Sequence, residues 1–182
     1  MKTTRKEFLQ KSLAGLAGML VMPAVFARSN SDGKPVVVHA EEGETYWIGS
    51  RNSPLSIKIA RDQTGNQSFS LCTELIAPGQ GIPVHKHLNE DELIFIHNGQ
   101  GLLILDDEEF AVKEGSAALV PKGIWHQLTN TGSEVLTMVF SYSPAGFEGY
   151  FRELGSPAGT PWQPKTPEEF AALDKKWGIV YK

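Results

Sequence analysis

Short runs of β-branched and aromatic residues recur through the middle of the chain, with turn residues between them. Asp106-Asp107 is one such turn, and Asn98-Gly99 marks another reversal. The pattern predicts strands over residues 36–39, 44–48, 56–60, 67–77, 93–97, 101–105, 108–112, 117–120 and 135–142. Many short strands at this spacing are typical of a sandwich or a barrel, so we expect an all-β domain over residues 36–142.

The pattern changes after residue 142. Residues 147–154 and 167–177 carry apolar positions at helical spacing and acidic residues in their first turns. Pro167 followed by two glutamates is a typical helix start. We therefore expect a short C-terminal helical extension over residues 143–182.

The first 27 residues have the pattern of a secretory signal peptide. A basic start precedes an apolar and glycine stretch over residues 13–22, and Ala27 offers a small residue for cleavage. That stretch is shorter than the ~20 residues that a bilayer needs, so we expect no stable membrane anchor in the mature form. Residues 4–9 resemble the twin-arginine export motif, with Lys6 in place of the second arginine. We expect export to the periplasm by the twin-arginine or the general secretory route, and a polar linker over residues 28–35.

Composition limits the classes of function. The chain has 182 residues, 17 Lys and Arg against 21 Asp and Glu, a net charge of −4 and 41% hydrophobic residues, as in one globular domain. This acidic balance lacks the positive surface that nucleic acid requires, so we expect a small-molecule substrate and no nucleic-acid partner. The single cysteine, Cys72, excludes a zinc site built on several thiolates. A metal site would therefore use histidine and carboxylate.

Three histidines and one glutamate form the candidate site. His85 and His87 are two residues apart, so on a strand both side chains project from one face. Glu92 begins the next apolar run, and His126 follows a turn that could bring it alongside. Imidazole and carboxylate donors suit one divalent transition metal, and iron, manganese, nickel, cobalt and copper all accept this ligand set.

Both histidine segments resemble the motifs of the cupin superfamily. The first motif is matched by Gly79, five residues, His85-Lys86-His87, four residues, Glu92, six residues and Gly99. The second is matched by Gly115, five residues, Pro121, one residue, Gly123, two residues, His126, three residues and Asn130. The resemblance covers about residues 69–142. It implies a cupin jelly-roll β-barrel in which His85, His87, Glu92 and His126 bind one metal, and it implies pairing of two copies as a homodimer.

The tail resembles the C-terminal extension of bacterial single-domain cupins grouped with quercetin 2,3-dioxygenases. The resemblance rests on residues 143–155, 167–170 and 177–179. It implies a metal-dependent dioxygenase, an oxidoreductase, that acts on an uncharged, oxygen-rich aromatic such as a flavonol. Glu92 would be the catalytic residue, because a carboxylate that moves between the metal and a substrate hydroxyl can serve as a base.

Two other classes of function remain open. A metal-dependent isomerase, lyase or decarboxylase would use the same ligands without dioxygen, and a non-catalytic cupin would only bind a carbohydrate or another small molecule. Charge favours an uncharged substrate, because the cationic residues between 67 and 142 are Lys86, Lys113 and Lys122, and none is expected to face the barrel interior.

Several residues near the motifs have more ordinary interpretations. We expect His39 and His97 to be structural or surface residues, since His97 alternates away from Glu92 along its strand. Glu90 and Asp91 are expected to be solvated. Three further side chains could line the site or lie outside it: Glu74, Trp125 and Arg152.

Overall fold

The computed structural model describes residues 33–182. The predicted signal peptide and most of the predicted linker lie outside the described residues. Among the helices of residues 33–182, none is long and apolar enough to cross a membrane.

Two antiparallel sheets form the domain. Their strands are β1 (Glu44–Ile48), β2 (Ser53–Ile59), β3 (Leu71–Ile76), β4 (Gly81–His87), β5 (Asp91–Asn98), β6 (Gln100–Leu105), β7 (Glu108–Lys113), β8 (Ala117–Val120), β9 (His126–Asn130), β10 (Leu136–Ser143), β11 (Ser156–Pro157) and β12 (Ile179–Tyr181). The larger sheet has the order β11-β1-β2-β3-β10-β5-β8, and the smaller one β12-β4-β9-β6-β7. The prediction of an all-β fold is confirmed.

The core lies between the inner faces of the two sheets. In β5 the burial alternates, so that Ile94 and Ile96 are buried while Leu93 and Phe95 are exposed on the outer face. The same alternation in β10 buries Met138 and Phe140. This period of two is what a sheet with one buried face requires, and it places every second residue of these strands in the barrel interior.

Most predicted strands are present, and the differences have local causes. Residues 36–39 form no strand, because Val36 and Val37 lie exposed without a pairing partner. Strands β4, β9, β11 and β12 were absent from the predicted set. In β4 and β9 the inward positions hold histidine and asparagine where the pattern requires apolar residues, so their alternation is hidden in the sequence.

The tail contains two helices and returns to the barrel. A single helical turn, α1 (Arg61–Thr64), lies earlier in the chain. In the tail, helix α2 (Glu148–Leu154) packs against helix α3 (Pro167–Trp177). A capping box between Thr166 and Glu169 begins α3. Gly178 ends α3 with φ 68°, and β12 then pairs with β4 in the smaller sheet. The predicted helices are confirmed, and the last strand adds a wall to the barrel.

Candidate metal centre and its cavity

The four predicted ligands converge inside the barrel. His85 and His87 lie on β4, His126 lies opposite His85 on the neighbouring strand β9, and Glu92 reaches across from β5 in the other sheet. All four side chains are buried, and one donor atom from each lies within 4.8 Å of the others. Donors that share an ion at bonds of about 2.1 Å lie at most about 4.2 Å apart, so a contraction of about half an ångström would complete the site.

Backbone carbonyls orient two of the imidazoles. The Nδ1 atom of His85 donates to the carbonyl of Pro83 at 2.8 Å, and Nδ1 of His126 donates to the carbonyl of Ile124 at 3.1 Å. A carbonyl can only accept, so these contacts place a proton on Nδ1 of each ring and make Nε2 the atom that would bind a metal. Each ring is therefore oriented with Nε2 toward the other donors, although Nε2 of His126 also carries a proton that it donates to Glu92 in the metal-free protein.

His87 supplies the test of whether a metal fits. Both of its ring nitrogens are buried without a hydrogen-bond partner. Its Nε2 atom lies 3.4 Å from Oε2 of Glu92, but the geometry is not that of a hydrogen bond. A buried polar atom left without a partner costs about 1–3 kcal/mol. An ion among the four donors would satisfy Nε2, so the residues present fit a divalent metal.

The protonation states of the ligands follow from their surroundings. Burial, together with the neighbouring His126 and His87, lowers the pKa of His85 to about 3, so this imidazole is neutral and able to ligate. Burial lowers the pKa of His126, but the hydrogen bond between its Nε2 and Oε2 of Glu92 at 3.0 Å, the charge of Glu92 and the Ile124 carbonyl together raise it overall. A metal cation would take the place of the proton in that contact.

Glu92 is held as a carboxylate. Burial by itself would raise the pKa of Glu92, but the hydrogen bond from His126 and the proximity of His87 and His126 lower it well below its usual range. The metal-free site thus contains one negative charge faced by three imidazoles. A cation in this place would pair with the Glu92 carboxylate and give the unpartnered Nε2 of His87 a bond.

The cavity beside these ligands is small. Its volume is about 10 Å³, which is space for about one water molecule. Five of the side chains that line it come from the tail: Phe147, Tyr150, Phe151, Ile179 and Tyr181. The ring of Phe147 packs edge-on against His87 at 4.4 Å, and Tyr181 stacks on His85 at 5.7 Å. The tail therefore closes the barrel over the site.

A buried ion pair forms another wall of the cavity. Arg51 donates to both carboxylate oxygens of Glu74, through Nε at 3.0 Å and Nη2 at 3.1 Å, and Ser53 donates to Oε1 at 2.6 Å. The sequence analysis considered only the cationic residues between 67 and 142, and so it missed Arg51, which enters the cavity from the turn between β1 and β2. Because Glu74 neutralises it, the pair adds no net charge to the cavity.

The other residues considered near the motifs lie outside the cavity. Trp125 packs beneath the ammonium groups of Lys86 and Lys182, at 4.5 and 4.9 Å. Arg152 pairs with Glu44 and Asp62 on the surface of the tail.

Two histidines and two acidic residues were expected to lie outside the site: His39, His97, Glu90 and Asp91. His39 and His97 are exposed, which confirms that they take no part in the site. Asp91 is exposed, as predicted, and accepts from the amide of Lys122. The prediction for Glu90 was wrong, because one of its oxygens is buried without a partner and burial raises its pKa to about 7.

The tyrosines of the tail were missed by the sequence analysis. Tyr150 is fully buried, and its hydroxyl donates to Asp174 at 3.1 Å and contacts the hydroxyl of Tyr181 at 3.1 Å. The available signal was the alternation of Ile179 and Tyr181 directly after Gly178, which is typical of a short strand. The pairing of that strand with β4 has no local signature.

Comparison with known proteins supports a cupin assignment for the barrel. Residues 72–142 match the family model for the cupin domain, Cupin_2. An uncharacterized protein of Methanocaldococcus jannaschii is 34% identical over 80 residues, which are 43% of this chain and 64% of that protein. A protein of Streptomyces cyaneus named polyketide synthase CurC is 27% identical over 111 residues, 61% of this chain and 71% of that protein. The match therefore spans less than two thirds of the length of the Methanocaldococcus jannaschii protein.

A solved structure shows the same architecture. The crystal structure described as a predicted oxalate decarboxylase from Thermotoga maritima superposes with a TM-score of 0.55 at 20% identity, covering 60% of this chain and 99% of that one. Likeness at this identity shows the fold alone. Together with the two antiparallel sheets it shows a barrel of the cupin jelly-roll fold, and residues 72–142 of that barrel match the cupin family model.

Proposed function

We propose that this protein is a metal-dependent dioxygenase that acts on an uncharged, oxygen-rich aromatic compound of the flavonol or catechol kind. The observation that carries the proposal is the convergence of three imidazoles and one carboxylate in a cavity whose other charges cancel. When bound, a divalent transition metal would act there as a Lewis acid and keep one net positive charge, since Glu92 is its one charged ligand. One ionised hydroxyl of a substrate balances that charge.

The ion pair in the cavity wall supports a neutral substrate. A carboxylate or phosphate substrate needs a guanidinium or ammonium group that is free to pair with it. Arg51 is the cation of the cavity, and it is engaged with Glu74 through two hydrogen bonds. A substrate with a further anionic group, beyond the one bound to the metal, would have to break this buried ion pair, which costs on the order of 3–5 kcal/mol.

Glu92 is the group that we assign as the catalytic base. In the metal-free protein the hydrogen bond from His126 keeps its pKa low, so Glu92 is a weak base in that state. Ligation to a cation would also lower the pKa of a carboxylate, so Glu92 would act as a base when it turns from the metal toward a substrate hydroxyl.

The tail must move for an aromatic substrate to enter. A cavity of about 10 Å³ holds about one water molecule, whereas small-molecule sites measure about 300–1,000 Å³. The side chains that fill the space belong to α2 and β12, which follow the barrel strands in the chain. We propose that α2 shifts outward during substrate entry, while β12 stays paired with β4. The likeness to the protein named polyketide synthase CurC supports a polyketide-like compound beside flavonols as the substrate class.

Oxygen uptake tests the proposal. Purified protein is stripped of metal and reloaded separately with iron, manganese, nickel, cobalt or copper, and an oxygen electrode records uptake with quercetin and with catechol. We expect uptake with at least one metal, loss of uptake in Glu92→Gln, and retained uptake in His97→Ala, whose side chain is exposed on the outer face of β5. Absence of uptake with every metal and both substrates would refute the dioxygenase assignment.

The small cavity favours a second candidate function. A metal-dependent isomerase, lyase or decarboxylase acting on a small substrate would fit the closed barrel more readily. Product formation under strictly anaerobic conditions would identify this class, and metal-dependent binding without any product would identify a binding protein.

A further inference from the structure

A chain of three hydrogen-bonded side chains runs from the cavity to the tail. Tyr181 and Tyr150 both line the cavity, and their hydroxyl oxygens lie 3.1 Å apart. Tyr150 is 0% exposed, and its hydroxyl donates to Oδ1 of Asp174, on α3, at 3.1 Å. These groups take no part in the predicted metal ligation.

Asp174 sets the direction of both hydrogen bonds. A carboxylate accepts hydrogen bonds only, and each phenol has a single proton to donate. Tyr150 gives its proton to Asp174, so the contact between the phenols requires Tyr181 to donate to Tyr150. The Tyr181 oxygen is then left with a lone pair and no proton to give, and Tyr181 is one of the residues that line the cavity.

The position of Tyr181 brings this acceptor close to the metal centre. Tyr181 pairs with His85 across β12 and β4, and the two rings stack at 5.7 Å. A ligand bound to a metal at His85 would therefore lie beside the side chain of Tyr181. A hydroxyl group could donate to the phenol oxygen, whereas a carboxylate has no proton to donate and would meet a lone pair.

We propose that Tyr181, oriented by Tyr150 and Asp174, is a specificity-determining residue that accepts a hydrogen bond from a substrate hydroxyl and disfavours carboxylate ligands. The inference rests on the proposed function, because it requires that another oxygen of the same substrate bind the metal. Tyr181 contacts the ligand, while Tyr150 and Asp174 act as positioning residues through it.

Calorimetric binding to the metal-loaded full-length protein without oxygen tests this inference. The probes are catechol, which carries two hydroxyl groups, and oxalate, which carries two carboxylates, and bound metal is measured for every variant. Tyr181→Phe should weaken catechol binding about tenfold, the effect of one lost hydrogen bond, and leave oxalate binding unchanged or stronger. Tyr46→Phe is the matched control, because the Tyr46 hydroxyl contacts Glu44 outside this cavity.

Asp174→Ala provides a second, independent variant, because Asp174 lies on α3 and is partly exposed. Without the carboxylate, either phenol can donate to the other, so Tyr181 can also present a proton to the ligand. The ratio of catechol to oxalate affinity should fall severalfold, a change that general loosening of the fold would not produce.

The possible results separate this inference from the proposed function. An unchanged affinity ratio in both Tyr181→Phe and Asp174→Ala at full metal content overturns the inference, and so does absence of catechol binding to the wild-type protein. Because no oxygen is present, the expected ratios would support the role of Tyr181 even if the oxygen electrode recorded no uptake. Conversely, oxygen uptake with unchanged ratios would support the proposed function and overturn the role of Tyr181.

Discussion

Replacement of Glu74 by glutamine should show how much the buried ion pair between Glu74 and Arg51 contributes to the stability of the fold. The side chain of Glu74 is 1% exposed and that of Arg51 is 7% exposed, and two hydrogen bonds join them. Glutamine preserves the shape of the side chain and one acceptor oxygen, but it removes the negative charge. Arg51 would then be a buried cation without a counter-ion, enclosed by the aromatic wall of the cavity.

The expected loss follows from the burial of the pair. Removing one partner of a buried ion pair costs about 3–5 kcal/mol, because the other charge stays desolvated. For a domain of this size each kcal/mol lowers Tm by about 2–4 °C, so Glu74→Gln should lower Tm by roughly 6–20 °C. The double variant Arg51→Met with Glu74→Leu removes both charges and should recover most of the loss, since hydrophobic replacements of buried pairs are often neutral or stabilising.

Urea denaturation of the metal-free protein, followed by circular dichroism, measures these differences in the free energy of unfolding. Glu44→Gln is the matched control, because its partner Arg152 is 24% exposed and Glu44 is 34% exposed. That partly solvated pair should contribute about 1 kcal/mol or less. The reasoning is refuted if Glu74→Gln loses less than the control, or if the double variant is as unstable as Glu74→Gln alone.

Three further changes test the metal centre and the tail. His126→Ala removes one donor atom, so elemental analysis of protein loaded with metal should find clearly less bound metal than in the wild type. The pKa of His85 is lowered from 6.5 to about 3, so between these values the unfolded chain binds a proton that the native site does not. Metal-free protein should therefore lose stability as the pH falls from about 6.5 toward 3, by at most about 1.4 kcal/mol per pH unit, and His85→Asn should flatten this dependence in urea denaturation. Gly149→Ala would place a Cβ atom 2.1 Å from the ring of Trp177, so it should cost about 1–3 kcal/mol and shift the tryptophan emission.

Each of these changes has a control and an opposing result. His97→Ala should keep the wild-type metal content, and full content in His126→Ala would exclude its role as a ligand. An equally steep pH dependence in His85→Asn would show that other groups cause it. Gly33→Ala, whose nearest new contact is 3.5 Å away, should change stability by about 0.5 kcal/mol or less. Gly149→Ala with the same small effect would show that helix α2 moves freely away from α3.

The predictability of each element depended on whether its inward positions were apolar. Strand β5 was evident because Ile94 and Ile96 alternate with outward residues. Strand β4 was not, because His85 and His87 occupy inward positions that a hydrophobic pattern would fill with apolar residues. The candidate ligands therefore removed the apolar alternation that would have predicted strand β4. The spacing of the motif residues indicated the site, although the hydrophobic pattern did not.

The order of residues along the chain was sufficient to predict an all-β fold, since alternate residues on a strand share a face. It was also sufficient to predict the four candidate metal ligands, since the motif spacings that identify them are short-range. The closed cavity depends on contacts between distant segments. Arg51 meets Glu74 because β2 pairs with β3, and Tyr181 reaches His85 because the last strand pairs with β4. Pairing of this kind is selected by the burial of whole faces in three dimensions, so no stretch of residues read by itself contains it.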